Sequence, residues 1–259
     1  MNSAKKTKVL AVIPARYAST RFPGKIIAPL AGKPLVVYAY ERACQCALID
    51  EALVATDNEC VVRALEPLGV PTLLTRNDHP SGTDRIAEVV SSREDADIIV
   101  NVQGDEPLID PATIAEAIRP LLDDATVAMS TAKRQITELA QIANSNVVKV
   151  VCDENGRALY FSRAAIPAIR DKAGRDDQPD CYWEHVGLYV YRREFLLEYA
   201  GWKQTPLEKL EKLEQLRALE RGYPIAVVET KYESIGVDTL EDLERVKALI
   251  TGETERDDA

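Results

Sequence analysis

Val9-Leu10-Ala11-Val12-Ile13-Pro14-Ala15-Arg16-Tyr17-Ala18-Ser19-Thr20-Arg21-Phe22-Pro23-Gly24-Lys25 is the stretch that decides the fold class. Val9–Ile13 is a short apolar run ended by Pro14, the pattern of a strand buried on both faces. The loop behind it carries three cations, two hydroxyls and a glycine, and no acid. Pro34 through Ala47 then reads as a helix. Backbone N–H groups, arginine forks and a lysine point charge in such a loop suit phosphate groups. A solvated basic loop is the other reading. Gly24-Lys25 is followed by Ile26, and no glycine stands five positions earlier, so this is not a P-loop. The chain contains no GxGxxG, which argues against a dinucleotide cofactor.

Outward from this stretch the pattern repeats. Ala52–Thr56 is a second strand, Asn58–Leu65 a short helix and Val70–Leu74 a third strand. A helix near Thr83–Ser92 leads to a fourth strand at Asp97–Val102, and Asp110-Pro111 opens another helix with an N-cap and a proline at N1. Strands alternating with helices mean βα units and a mostly parallel sheet with helices on both faces. The second half is richer in strand. Val127–Ala132, Val147–Cys152 and Ala158–Ser162 read as strands, the last two joined by the hairpin turn Asp153-Glu154-Asn155-Gly156. Residues 170–179 form a polar loop. Thr205-Pro206-Leu207-Glu208 is a capping box, and Leu207, Leu210, Leu213, Leu216 and Leu219 predict one striped helix ending before Gly222. Ala226–Val228 is a strand, a last amphipathic helix starts at Asp238, and the tail from Glu253 is charged and frayed. With no repeat and no linker, the expectation is a single domain over residues 1–259, with 126–200 as a β-rich elaboration.

The net charge of −10 excludes the basic footprint of a nucleic-acid binder. Residues 1–40 nevertheless hold no Asp or Glu, which concentrates positive charge beside the first loop. Five cysteines without a CxxC argue against a disulfide framework and a zinc site, and read as buried or half-buried free thiols. No apolar run approaches a membrane span, and the basic start lacks the h-region of a signal peptide. The expected location is the cytoplasm.

In parallel α/β sheets ligands bind beyond the carboxyl ends of the strands. The fourth strand runs into Gln103-Gly104-Asp105-Glu106-Pro107, which puts Asp105 at that edge as a Mg²⁺ ligand or as a turn former before proline. Asp238, in Gly236-Val237-Asp238-Thr239, reads equally as a second carboxylate and as a helix N-cap. Ser81-Gly82-Thr83-Asp84-Arg85 at a helix start offers N–H groups and hydroxyls to a base or ribose, or is an ordinary cap. Asp95-Ala96-Asp97 precedes its strand and so sits at the wrong end for a metal-binding D-x-D.

Taken together, Ile13–Lys25, Ser81–Arg85, Asn101–Pro107, Tyr160–Arg163, His185–Tyr189, Leu213–Arg217 and Gly236–Thr239 resemble the 3-deoxy-manno-octulosonate (Kdo) cytidylyltransferases, the CMP-Kdo synthetases. The likeness runs over residues 8–248. It implies a Rossmann-like nucleotide-diphospho-sugar transferase fold, usually as a homodimer, and transfer of CMP from CTP to Kdo with release of pyrophosphate, a step of lipopolysaccharide synthesis. It implies Mg²⁺ on Asp105 and Asp238, and triphosphate contacts from Arg16 and Lys25. Ser81, Gly82, Thr83, Arg85 and Gln103 then fall near the cytidine, and Arg21, Arg163, His185, Tyr189, Glu214 and Gln215 around the sugar acid. On pattern alone His185 is equally a structural hydrogen-bonder, and Glu214-Gln215 equally the solvent face of a leucine-striped helix. Asp84 departs from the resemblance, which has Glu there. Competing readings are a cytidylyltransferase for 8-amino-Kdo or a sialic acid, a sugar-nucleotide-dependent glycosyltransferase, and a non-catalytic nucleotide-binding module.

Overall fold

A computed structural model describes residues 6–18, 22–170 and 181–252. Arg21, the polar loop 170–179 beyond Arg170, and the tail from Glu253 lie outside the described residues. The chain divides into two compact units: Met1–Ala115 with Glu233–Ala259, and Glu116–Tyr232.

The first unit begins with β1 (Val9–Ala15), the short hairpin β2 (Pro29–Leu30) and β3 (Lys33–Pro34), and α1 (Leu35–Gln45). It continues through β4 (Glu51–Thr56), α2 (Glu59–Leu65), β5 (Thr72–Leu74), α3 (Gly82–Ser91) and β6 (Ile98–Asn101) to the start of α4 (Pro111–Asp123). β1 pairs in parallel with β4 on one side and β6 on the other, and β4 pairs in parallel with β5. The apolar runs fill this sheet as expected, with Leu10 to Ile13 and Ile98 to Val100 fully buried. One boundary moves: Pro14 does not end β1, which continues through it to Ala15. The β6 ladder has already closed at Val12↔Asn101, so the missing proline N–H deprives no partner.

The second unit holds β7 (Met129–Gln135), α5 (Leu139–Ala143), β8 (Lys149–Cys152), β9 (Ala158–Ser162) and β10 (Trp183–Arg192). It ends with α6 (Arg193–Ala200), α7 (Pro206–Glu211), α8 (Leu216–Glu220) and β11 (Ile225–Thr230). β7 pairs antiparallel with β10 and parallel with β11, and β8 and β9 form the expected hairpin. β10 and α6 have no counterpart in the sequence reading.

The leucine stripe is corrected as well. One helix does not run from 207 to 219: Lys212 turns left-handed at φ 55°, separating α7 from α8. A strict three-residue spacing drifts by about 60° per step around a helix, so such leucines cannot share one face. Leu210 is accordingly 79% exposed while Leu216 is fully buried. The break lets Arg217 of α8 reach back to Glu208 of α7 in a two-pronged buried pair at 2.6 and 2.9 Å.

The chain returns to the first unit through Val237 and α9 (Leu240–Thr251). Val237, Leu243 and Val246 pack with Ala28, Leu30 and Leu35 in a core that anchors the segment behind the basic loop. No helix among the described residues is long and apolar enough to cross a membrane. All five cysteines are free, but only Cys46 is buried and Cys152 half-buried; Cys44, Cys60 and Cys181 are exposed, contrary to expectation.

Candidate active site

Lys25 is the centre of the first unit's strand-end cluster. Gly24, left-handed at φ 71°, turns the basic loop into a single 3₁₀ turn that begins with Lys25. The Lys25 ammonium donates to Asp105 Oδ2 at 2.8 Å and to Asp238 Oδ1 at 2.9 Å. Burial opposes the charge on Lys25, but the Asp105 and Asp238 carboxylates outweigh it and hold its pKa above the ordinary lysine value.

Two local features bring the carboxylates together. The Val237 amide donates to the Asp105 carbonyl at 2.8 Å, and Ser234 Oγ donates to Glu106 at 2.8 Å, lacing the two acidic segments. Asp238 is not the helix cap. Thr239 caps α9 in a box with Asp242, and Asp242 also accepts the Asp238 amide, so the Asp238 carboxylate faces Lys25. Gly104 sets the approach of the strand ends. A Cβ there would lie 2.9 Å from Ile26 Cδ1 and 3.0 Å from the Pro14 carbonyl.

The helix-start motif meets the basic loop. Ser81 caps α3 by accepting the Asp84 amide and donates to the Asp84 carboxylate at 2.5 Å. The shorter acid thus serves the cap at the position where Glu was expected. Arg16 Nη2 donates to the Pro80 carbonyl at 3.2 Å, and Gly82 lies against Pro14. Arg85 and Thr83 are buried; Arg85 pairs with Asp57 at 2.9 Å, and Asp57 in turn accepts the Tyr17 amide. The structure therefore gives Arg85 an inward set of partners and makes Asp57, unremarked in the sequence, a brace for the basic loop. Gln103 follows β6 and bonds Asn101.

The remaining residues gather in the second unit. Tyr189 OH donates to Gln215 Oε1 at 3.0 Å. Gln215 is 2% exposed, not on a solvent face, and its buried Nε2 has no partner among the described residues. Glu214 accepts Tyr199 OH on its carbonyl and lies 3.6 Å from Arg217. His185 packs between Phe161 and Tyr189, and burial pushes its pKa down to about 3. Its Nε2 lies 2.8 Å from Thr131 Oγ1, whose one proton is taken by a main-chain carbonyl, that of Leu188 at 2.7 Å or Val186 at 3.2 Å. This assigns the hydrogen to Nε2 and leaves Nδ1 an acceptor on a neutral ring. Arg163 bonds to Glu211 and Ser145 rather than to His185 or Tyr189. Lys149 and Glu211 are the groups the sequence reading missed here. A lone lysine inside Val147–Cys152 was a visible signal, whereas Glu211 carried none.

Among the described residues no three His, Cys, Asp or Glu side chains are grouped to hold a metal by themselves. Two carboxylates that already share one cation suit Mg²⁺, which takes one or two carboxylates and completes its shell with phosphate oxygens and water. The Lys25 ammonium stands where such a charge would be shared. The Asp95–Asp97 segment is spent elsewhere, with Asp95 paired to Lys8 and Arg93 and Asp97 accepting the Lys8 amide.

A parallel βα sheet with a basic loop and an acid pair at its strand ends defines an α/β nucleotidyltransferase, and the cytidylyltransferase family matches residues 10–235. The 3-deoxy-manno-octulosonate cytidylyltransferase of Geobacter metallireducens is 55% identical over 248 residues, covering 92% of this chain and 96% of its own. The one from Solibacter usitatus is 54% identical over 242 residues, covering 93% and 94%. A solved structure of CMP:2-keto-3-deoxy-manno-octonic acid synthetase complexed with CTP superposes at TM-score 0.89, with 41% identity over 96% of this chain and 100% of that one. The chain belongs to the 3-deoxy-manno-octulosonate cytidylyltransferase family.

Proposed function

We propose that this protein transfers CMP from CTP to Kdo, forming CMP-Kdo and pyrophosphate for lipopolysaccharide synthesis. The observation that carries the reading is the Lys25 ammonium held between Asp105 and Asp238. The sugar hydroxyl attacks the α-phosphorus, a new O–P bond forms as its proton passes to solvent, and the bond from the α-phosphorus to the bridging oxygen breaks to release pyrophosphate. Such a transfer needs in-line positioning and neutralisation of spreading negative charge. Arg16, Arg21 and Lys25 supply positive charge to the triphosphate and the departing pyrophosphate. Ser81, Gly82 and Gln103 form the base and ribose side, and buried Thr83 and Arg85 support it, Arg85 through Asp57 and the Tyr17 amide. Arg163 takes the sugar carboxylate, for which a planar fork is suited. His185, Tyr189, Glu214 and Gln215 orient the sugar hydroxyls, the neutral His185 ring as acceptor and the unpartnered Gln215 amide as donor. Asp105 and Asp238 would hold Mg²⁺, which when bound neutralises phosphate charge and orients the nucleophile. No side chain is assigned as general base.

Residues 126–200 contribute to sugar binding and dimerisation. The enzyme works in the cytoplasm as a homodimer. Exposed Leu159 and Leu210, 62% and 79% accessible, are apolar surface that a second copy would cover. Sedimentation checks the assembly. The reaction is tested by pyrophosphate release with CTP and Mg²⁺, adding Kdo, 8-amino-Kdo, sialic acid or no sugar. Release that requires Kdo is expected. Release with only another sugar acid renames the acceptor, and none with any acceptor favours a non-catalytic nucleotide-binding module.

A further inference from the structure

Lys149 is a fully buried lysine whose ammonium touches no carboxylate among the described residues. It donates instead to three main-chain carbonyls, of Asn144 at 2.9 Å, Val147 at 2.6 Å and Arg163 at 2.8 Å. All three of its donors are used, so the head group is fixed in place. Burial lowers its pKa, the Arg163 guanidinium lowers it further, and Glu211 works the other way.

The residue gripped by Lys149 is gripped on its other sides by Glu211. Glu211 Oε2 accepts the Arg163 amide at 3.0 Å, and Oε1 accepts Ser162 Oγ at 2.7 Å. The Glu211 carbonyl accepts Arg163 Nε at 2.8 Å, and the Ser145 carbonyl accepts Nη1 at 2.9 Å. The amide, the carbonyl, Nε and one N–H of Nη1 of Arg163 are therefore committed. Nη2 has no hydrogen-bond partner among the described residues. Lys149, Arg163 and Glu211 together carry one positive charge in excess, the complement of a single carboxylate. Glu211 is also the last residue of α7, directly before the left-handed Lys212 that turns the chain toward Glu214 and Gln215.

We propose that Lys149 and Glu211 are positioning residues for the acceptor sugar: they lock Arg163 with the remaining end of its guanidinium presented to the sugar carboxylate, and Glu211 also sets that end's spacing from the Gln215 amide. This rests on the reading of Arg163 as the carboxylate fork. An arginine whose amide, carbonyl, Nε and Nη1 are already held loses little further freedom on binding, which favours the ligand it fits. The nucleotide is served by other residues and should not sense the clamp.

The test is Glu211→Gln, which keeps size and one acceptor but loses the charge and the second acceptor. KM for Kdo and KM for CTP are measured separately on the full chain, with thermal unfolding as a check on folding. The KM for Kdo is expected to rise about tenfold while that for CTP stays within about twofold, the signature of lost sugar binding. Glu211→Asp should recover part of the loss. Should Glu211→Gln not fold, Ser162→Ala removes a single bond of the clamp and should raise the KM for Kdo alone by about threefold. An unchanged KM for Kdo, or equal rises for both substrates, overturns the proposal while the function stands. A wild-type enzyme inactive with every sugar acid removes the functional reading and this proposal together.

Discussion

In the first unit one ammonium, that of Lys25, sits 2.8 and 2.9 Å from two carboxylates, whereas in the second the ammonium of Lys149 is held by three carbonyls and the single carboxylate of Glu211 takes the Arg163 amide and the Ser162 hydroxyl. The first group carries one negative charge in excess and the second one positive charge. Each excess names a ligand: a cation accompanied by phosphates in one unit, a carboxylate in the other. The means of holding also differ. Asp238 is half exposed, so its bond to Lys25 can be exchanged for a new partner, while the carbonyls around Lys149 belong to the fold and cannot. One cluster is built to trade partners and the other to stay still.

The largest effect that would break this comparison lies in the acid pair. Asp105→Asn and Asp238→Asn should each lower kcat by about 100- to 1,000-fold, the scale of losing one charge-stabilising group, with melting temperature nearly unchanged. Wild-type rates at saturating magnesium in either variant would remove that residue from the mechanism. Next comes the positive excess of the second unit. Arg163→Lys keeps the charge but not the fork, and should raise the KM for Kdo by about 50-fold with little change for CTP. Steady-state titration of each substrate checks it, and a parallel rise for CTP would erase the division of labour.

A smaller effect sharpens the geometry of the first unit. Gly104→Ala places a Cβ against the Ile26 side chain and the Pro14 carbonyl, and one of these must move. Turnover should fall about tenfold, because displacing Asp105 from Lys25 misaligns the reacting groups. Stability should fall by about 1–3 kcal/mol, read from urea unfolding. The smallest effect concerns His185. Its folded pKa of about 3 lies below the ordinary 6.5, so between these values the unfolded chain takes up a proton that the folded one refuses. Stability is therefore lost as pH falls from 6.5 toward 3, by at most about 1.4 kcal/mol per unit. Urea midpoints at pH 7.5 and 5 should drop further in wild type than in His185→Asn; equal drops would mean that the ring titrates normally.

Much of the first unit was legible because its strands are continuous apolar runs. Val9–Ile13, Ala52–Thr56 and Asp97–Val102 each found their strand, and the order of basic loop, capped helix and Asp105 placed the cluster at the sheet's carboxyl edge. The second unit was read less well. β10 alternates partly buried with buried residues and carries a register shift between Val186 and Tyr189, so its pattern is blurred. The leucines of α7 and α8 suggest one helix by spacing alone, but a three-residue repeat drifts around the helix and cannot hold one face. Lys149 stood out in an apolar strand, but nothing local names carbonyls as its partners.

By itself the sequence determined the fold class, the basic loop, the two metal-suited carboxylates as candidates and, through ordered motifs, the family. These are properties of short segments, set by hydrophobic period, turn chemistry and residue type. Only the tertiary structure decided that Asp238 faces Lys25 rather than capping α9, that Gln215 is buried with a spare donor, and that Glu211 and Lys149 clamp Arg163. Those outcomes join residues from 14 to 213 positions apart. Such contacts depend on where the packed chain brings its segments, which no local pattern encodes.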